Sequence, residues 1–456
     1  MSTTLPIAVI GAGPVGLSAA ARLVERDEPF VILEAGSSVG TSVRDWGHVQ
    51  LFSPWRYVVD PAARALLEST GWEAPDPDTF PSGDDLVDDY LAPLADHPAI
   101  APGLRLRTRV TKVTRTGADK LVSAGRAALP FELLVDGPDG PTRIRARAVI
   151  DASGTWTRPN PLGSDGLPVD GEVEAGDRVV HRIPDARGRD RDRYAGRTTA
   201  IVGSGHSAFN AVLELAALAE EVAGTEVIWA IRRQQTDDLF GGGADDALPR
   251  RGALGLTVRR LVDDGRVRLE TDLRTTSVRR EGEQVLLEGI DHLGVAREVG
   301  PVDEVVALTG FRPDLGLISE LRVDLDPVVE APAILAPLID PNLHSCGTVP
   351  PHGATELAHP EPGYFTVGMK SYGRAPTFLL LTGYEQVRSV VAALVGDHEA
   401  AVNVELALPP TGVCSGPGLS GDLVSVAGAE VRDEAAGVGV GEERSLPQAS
   451  GGGCCG

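Results

Sequence analysis

The 456-residue sequence predicts an α/β protein built on two glycine-loop βαβ units, with a glycine-rich tail outside the folded body. Three observations predict it. A succession of strand, glycine loop, helix and strand opens the chain. The same succession returns 192 residues later, from Gly11 to Gly203, and the last 46 residues contain no aromatic side chain.

In the first unit, the apolar run Pro6 to Ile10 is followed by Gly11-Ala12-Gly13-Pro14-Val15-Gly16 and a helical pattern, LSAAARLVERD. Gly11, Gly13 and Gly16 permit a tight turn, close approach of backbone to a pyrophosphate and close helix packing, while the helix N-terminus attracts the anion. A second apolar run, Phe30 to Leu33, ends in Glu34, eighteen residues beyond Gly16. An acid there accepts hydrogen bonds from an adenosine ribose.

The second unit runs from Thr198 to Val202 through Gly203-Ser204-Gly205-His206-Ser207-Ala208 into FNAVLELAALAEEV. Its next strand, Val227 to Ile231, ends in Arg232 and Arg233 where the first ended in an acid. Cations at that place pair with the 2′-phosphate of NADP, so NADPH is expected at Gly203, Gly205, Ser207, Arg232 and Arg233. The alternative for the two arginines is a solvated surface pair. Two dinucleotide loops imply two nucleotides whose reactive rings can meet, which makes the first one FAD, at Gly11, Gly13, Gly16 and Glu34.

Two further stretches, AVIDASGTWTRPNP at 148–161 and VVALTGFRPD at 305–314, complete a set of four landmarks. Together they resemble the two-dinucleotide-binding flavoproteins, and among them the flavin-containing and Baeyer-Villiger monooxygenases. The resemblance implies two Rossmann-like domains: a discontinuous FAD domain, residues 1–160 and 305–400, and an NADPH domain inserted at 161–304. A flexible tail is expected at 401–456. The monooxygenase group carries an FxGxxxH fingerprint before its second loop; His181 stands at the His position, with Ala175 and Asp177 in place of the Phe and Gly. Related flavoproteins hold the ribityl chain with a Gly-Asp pair, whereas Gly368 is followed here by Met369. Lys370, Tyr372 and Arg374 then either line the flavin pocket or cap the last helix. Between the landmarks, Leu104 to Ile150 alternates like antiparallel strands, and the charged run 186–197 reads as a solvated linker.

Flavoproteins that reduce disulfides keep a redox-active cysteine pair near the flavin. No cysteine lies between Glu34 and Pro61 or within 161–304. The expected enzyme is therefore a monooxygenase-like, FAD-dependent NAD(P)H oxidoreductase with a small-molecule substrate and molecular oxygen as partners. Its alternatives are an NADPH-dependent flavin reductase that relays electrons to a metal ion or partner, and a flavin-holding metalloid-binding or sensor protein. No catalytic residue is assigned. The stretch after the first unit holds Arg44, Trp46, His48, Trp55, Arg56 and Tyr57 in a chain that is only 4% aromatic. It either walls the isoalloxazine, with Arg44 or Arg56 beside the reduced-flavin charge, or its aromatics simply pack in the core. His344, His352 and His359, with Cys346 and Glu356, match no metal-ligand spacing and read as a loop near the flavin.

From Thr411 to Gly456 there are 12 glycines, too little apolar surface to offset ordering entropy, and three of the four cysteines. Adjacent cysteines bridge poorly, because their Cα atoms sit about 3.8 Å apart. As thiolates, Cys454 and Cys455 can share a soft ion, and Cys414 can complete a three-sulfur site. The pair resembles the vicinal-cysteine tails of mercuric reductase and of large thioredoxin reductases. The whole chain resembles flavin-binding monooxygenases of bacterial arsenic resistance, which implies a trivalent arsenical or another thiophilic substrate. A formal charge of −23 disfavours nucleic acid and anionic membrane partners. No run approaches the roughly 20 apolar residues of a membrane span, and the N-terminus lacks a basic leader, so a cytoplasmic location is expected.

Overall fold

The computed structural model describes residues 4–234, 237–241, 249–343, 349–376 and 378–406. The tail with Cys414, Cys454 and Cys455 lies outside them, as do His344 and Cys346.

Two five-stranded parallel sheets organise the body. The first runs Tyr364–Thr366, Ala148–Asp151, Ile7–Ile10, Phe30–Leu33, Leu104–Arg105, and the second Arg268–Glu270, Glu226–Ala230, Thr198–Val202, Glu304–Ala307, Val179–Val180. In each, the strand that leads into a glycine loop is central. It has the next βαβ strand on one side and a strand arriving from far along the chain on the other. That is a switch point of strand order, where open α/β sheets place their ligands. These central strands are apolar runs without alternation because both faces are covered, one by helices and the other by a three-stranded antiparallel sheet; Ile7–Ile10 is buried at every position.

The helix Pro14–Glu25 is packed from nearly all sides, and its alanines let the helices Pro61–Glu68 and Leu380–Leu394 approach closely. Its one basic residue, Arg22, pairs with Asp60 at 3.2 Å and so joins it to the next helix, since Asp60 also accepts from the amides of Ala62 and Ala63 as the N-cap of Pro61–Glu68. Two antiparallel three-stranded sheets accompany the parallel ones. Arg109–Arg115, Phe131–Gly137 and Gly140–Ala146 form one, and Arg274–Glu281, Gln284–Ile290 and Ala296–Val302 the other.

Two expectations are corrected. The strand Glu304–Ala307 pairs with Thr198–Val202, so the return to the first sheet begins at Leu308 and not at 305. The charged run 186–197 is no free linker. Arg187 pairs with Glu214, Arg191 with Glu221, and Arg193 and Arg197 converge with Arg178 on Glu304, which is 2% exposed and opens the returning strand. Among the described residues no helix is long and apolar enough to cross a membrane.

A second buried carboxylate joins the first antiparallel sheet to the chain entering the strand Tyr364–Thr366. Glu361 accepts from Arg115 Nε at 2.7 Å and Arg126 Nη2 at 3.0 Å, with all three side chains at most 3% exposed. Burial pushes its pKa up, but Arg115, the Arg322 amide and Arg126 outweigh that and hold it below the ordinary 4.5. A carboxyl depressed by folding contributes stability above its unfolded pKa and loses it as pH falls through the folded value. Glu361→Gln is expected to destabilise the protein at pH 7 by about 3–5 kcal/mol, by stranding two buried guanidinium groups. Urea unfolding should show the gap to wild type closing below pH 4.5.

Candidate functional site

Register places the parts of the first loop. Ile10 pairs with Leu33 on one side and with Asp151 on the other, so Gly11, Glu34 and Ala152 emerge level at one sheet end. Gly11 has φ +96°, and a Cβ there would sit 2.8 Å from the Ala152 carbonyl oxygen. A Cβ on Gly16 would lie 2.0 Å from the Gly11 oxygen, so the helix packs on its own loop. Gly13 differs: its backbone is ordinary extended chain, and a Cβ would meet nothing within 4 Å. It faces open space at the start of a helix that no side chain caps. The first-turn N–H groups have no intrahelical acceptors and point into that space.

The second loop repeats the plan. Val202 pairs with Ala230 and Ala307, which brings Gly203 level with Ile231 and Leu308. Gly203 has φ +137°, and its Cβ would lie 2.2 Å from the Leu308 oxygen. Gly205 has extended backbone, open space beside it, and an uncapped helix after it, His206–Glu221, in which Ser207 is the second residue. Each loop is thus backed by the strand arriving from far along the chain and open on the other side. An elongated dianion fits both openings, since backbone donors converge there and no atom stands within 4 Å of a Cβ on Gly13 or Gly205.

The charges beside the two loops differ as the sequence predicts. Glu34 Oε2 accepts from the Ala12 amide at 2.8 Å and Oε1 from Gly36 at 2.7 Å, which fixes the carboxylate against the first loop with lone pairs to spare. Arg233 donates to Ser204 Oγ at 3.1 Å and lies over the second loop, whereas Arg232 is exposed.

The stretch expected to wall a flavin has other partners. Arg44 is turned to Asp84 at 3.2 Å and to Asp88, and Arg56 pairs with Asp78. Trp46 packs on Gly83, where a Cβ would come within 2.9 Å of its ring, and Trp55 is buried in the first core. Local acids and apolar neighbours thus satisfy these groups. Phe52 instead reaches the second loop, its ring 5.3 Å from that of His206 in an edge contact, and Val49 and Phe52 pack on the second core. Gln50 accepts from Arg250 at 2.5 Å, and the Arg250 guanidinium lies 4.6 Å from the Phe80 ring centre. The segment therefore sits between the two nucleotide-loop units.

Beneath the first loop lies a polar cluster that motif reading does not reveal. Lys370 and Asp151, 1% and 0% exposed, pair at 2.7 Å. Lys370 also donates to Ser153 Oγ at 3.0 Å, and Asp151 Oδ2 accepts from the Tyr364 hydroxyl at 3.1 Å. Burial raises the Asp151 pKa, but Lys370 and Ser153 reverse this and hold it below 3.8. The pair fixes the backbone on both sides of Ala152, the residue against which Gly11 rests. The available signal was a lone acid at the end of an apolar strand, AVID, and a lone lysine after another, YFTVGMK. Gly368 has φ +69°, a Cβ there would lie 3.2 Å from Val15, and its amide donates to Gln386 Oε1 at 2.7 Å. Gln386 donates on to His352 at 2.9 Å and to Ser371. Burial lowers the His352 pKa, keeping the ring neutral to accept this bond. Tyr372 is buried and Arg374 pairs with Glu330 at 2.9 Å. Among the described residues no cluster of histidines, cysteines or acids could hold a metal ion.

Residues 9–73 match the NAD(P)-binding Rossmann-like domain. No curated protein matches the sequence. Among solved structures, the chain is similar to the bacillithiol disulfide reductase Bdr from Bacillus cereus, at 17% identity and TM-score 0.62 over 86% of this chain and 100% of that one. It is also similar to the ornithine N-hydroxylase of Kutzneria sp. 744, at 18% and 0.58 over 87% and 99%. A flavin-containing monooxygenase from Stenotrophomonas maltophilia matches at 22% and 0.51 over 86% and 99%. These likenesses establish a shared fold.

The open space beside Gly13 and Gly205 gives a direct test. Gly13→Val and Gly205→Val should each fold as wild type by circular dichroism, since extended backbone accepts valine and nothing stands in its path. Each should lose the dinucleotide bound at its own loop and keep the other, as read by chromatography of the released nucleotides and by equilibrium dialysis. Retention of both would rule out these loops as the binding sites.

Proposed function

We propose that this protein is an FAD- and NADPH-dependent oxidoreductase of the monooxygenase-like kind, with FAD on the loop Gly11–Gly16 and NADPH on the loop Gly203–Ala208. The observation that carries this reading is the pair of equivalent open glycine cradles, one beside Glu34 and the other beneath Arg233. The Kutzneria neighbour, whose structure is described with reduced FAD, NADP⁺ and L-ornithine, supports the same pairing of nucleotides. FAD, when bound, takes up two electrons and passes them to oxygen or to a substrate.

The chain's own residues serve that chemistry by holding and sealing. Lys370 and Asp151 keep the crossing strand against the first loop. Glu34 anchors a ribose, and Arg233 faces the adenosine phosphate of NADPH. Val49 and Phe52 fill the junction between the units and keep water from it. Oxygen is favoured over a disulfide as acceptor because the sequence places no cysteine between Glu34 and Pro61 or within 161–304, the two stretches in which related disulfide reductases carry their redox pair. The substrate in this reading is thiophilic, a trivalent arsenical captured by Cys414, Cys454 and Cys455, and what supports it is the gathering of these cysteines in one terminal segment.

Three measurements test the proposal. NADPH and oxygen should be consumed one to one, with less than stoichiometric hydrogen peroxide when an oxygenated substrate is present. Release of all the oxygen as peroxide under every substrate would leave only electron relay. Arg233→Ala should raise KM for NADPH roughly tenfold or more while leaving that for NADH nearly unchanged, with Arg232→Ala the milder change. Cys454→Ser with Cys455→Ser should preserve flavin content and NADPH oxidation but weaken arsenite binding, and unaltered arsenite affinity would remove the arsenical from the proposal.

A further inference from the structure

The two segments that cross between the sheets run side by side. Pro159 bridges Phe311, the Asn160 amide donates to the Gly310 oxygen at 2.9 Å, and the Arg312 amide donates to the Arg158 oxygen at 3.0 Å. Trp156 stacks on Phe311 with ring centres 4.7 Å apart. Against this ribbon lies a cavity of about 390 Å³, walled by Pro159, Pro161, Pro168 and Val173 and ending at Glu172, His181 and Arg312. Its size falls within the roughly 300–1,000 Å³ of small-molecule sites. It is separate from both glycine loops, and nothing in the proposed reaction uses it.

The charges in the cavity are unevenly satisfied. Glu172 is 7% exposed, and its two oxygens are taken by the amides of Leu162 and Val169. His181 Nε2 is 3.8 Å from Glu172, beyond hydrogen-bond distance. The Arg312 guanidinium donates to the Gly166 oxygen at 3.1 Å, and among the described residues no carboxylate lies within ion-pair distance of it. The neighbouring Asp314 is turned to Arg158 instead. The half-buried Arg312 guanidinium thus faces the cavity with donors that no carboxylate takes up. The rim is apolar at Val173, which is 74% exposed although it borders a pocket whose occupant could cover it.

We infer that this cavity is a binding site for a small amphipathic carboxylate. The carboxylate pairs with Arg312, and an aliphatic tail lies along Pro161, Pro168 and Val173. A planar guanidinium with free N–H groups matches a carboxylate in charge and geometry. A proline-lined wall offers rigid apolar surface at little entropic cost. Because one wall is the pair of crossing segments, a molecule held there ties the two connections between the sheets.

Octanoate is the probe, with octanol and octylamine as controls, titrated calorimetrically into the full-length flavin-loaded protein. Octanoate should bind, and both controls should bind at least tenfold more weakly, because only octanoate supplies the charge-assisted hydrogen bonds. Arg312→Gln should weaken octanoate by roughly tenfold or more. Val173→Asp, an exposed substitution that leaves folding intact, should weaken it through the apolar wall and by charge repulsion. Circular dichroism and flavin content of both variants should match wild type. Absence of octanoate binding, octanol binding as tightly as octanoate, or unchanged affinity in folded Arg312→Gln would overturn the site. The readout is binding alone, so a failure here leaves the proposed oxidoreductase reading untouched, and failure of that reading leaves this one testable.

Discussion

Two contacts of backbone against backbone govern this architecture. At Gly11 and at Gly203 the chain turns so close to a neighbouring carbonyl, Ala152 in one sheet and Leu308 in the other, that a single methyl group would collide. Both turns also have φ values that side chains disfavour. The carbonyl in each case belongs to the residue just after a strand that joins the sheet from far along the chain. A glycine loop is therefore complete only when that distant strand has docked in register, Ile10 against Asp151 and Val202 against Ala307. The anion sites are properties of finished sheets, although their sequence signature is local.

Buried charge secures the distant strands. Asp151 ends one of them and meets Lys370 with almost no solvent contact; Glu304 begins the other and meets Arg178, Arg193 and Arg197. Such groups contribute little net stability over apolar replacements, because desolvation offsets their attraction. Loss of one partner is another matter, since it leaves a charge with neither water nor counter-ion. The two sheets thus hold their late strands with contacts that punish misplacement more than they reward assembly. That asymmetry suits strands whose position decides whether a binding loop has its shape.

What the sequence revealed and what it concealed separate along the same line. The glycine loops, the acid and the arginines at the strand ends, and the antiparallel alternation over 109–146 were legible, because each is dictated by neighbours within one βαβ unit or one hairpin, whereas the ends of the stretch 104–150 belong to the parallel strands Leu104–Arg105 and Ala148–Asp151. The partners of Arg44, Arg56 and Arg374, which are Asp84 and Asp88, Asp78, and Glu330, were not legible because they stand 22 to 44 residues away on separate segments. No periodicity announces such a pair. The packing of Trp46 on Gly83 likewise shows only in three dimensions. The strand Glu304–Ala307 was assigned to the wrong sheet for a different reason. A buried parallel strand is a plain apolar run, and nothing in VVAL says which sheet it completes.

The junction between the loops carries the remaining logic. Under the proposed function, two nucleotides must bring their reactive rings together where water is scarce, yet each loop is closed on its far side by its own crossing strand. The only approach is from the open faces, and the segment Val49–Phe52 of the first unit already extends there, packed on the second core with Phe52 against His206. His206 is the first residue of the helix that would receive the NADPH pyrophosphate. A nucleotide arriving at Gly205 therefore meets Phe52 at the mouth of its site, so occupancy of the second loop bears directly on the segment that follows the first. Coupling between the two sites then requires no relay through the cores. It follows from one aromatic side chain placed where the two openings meet.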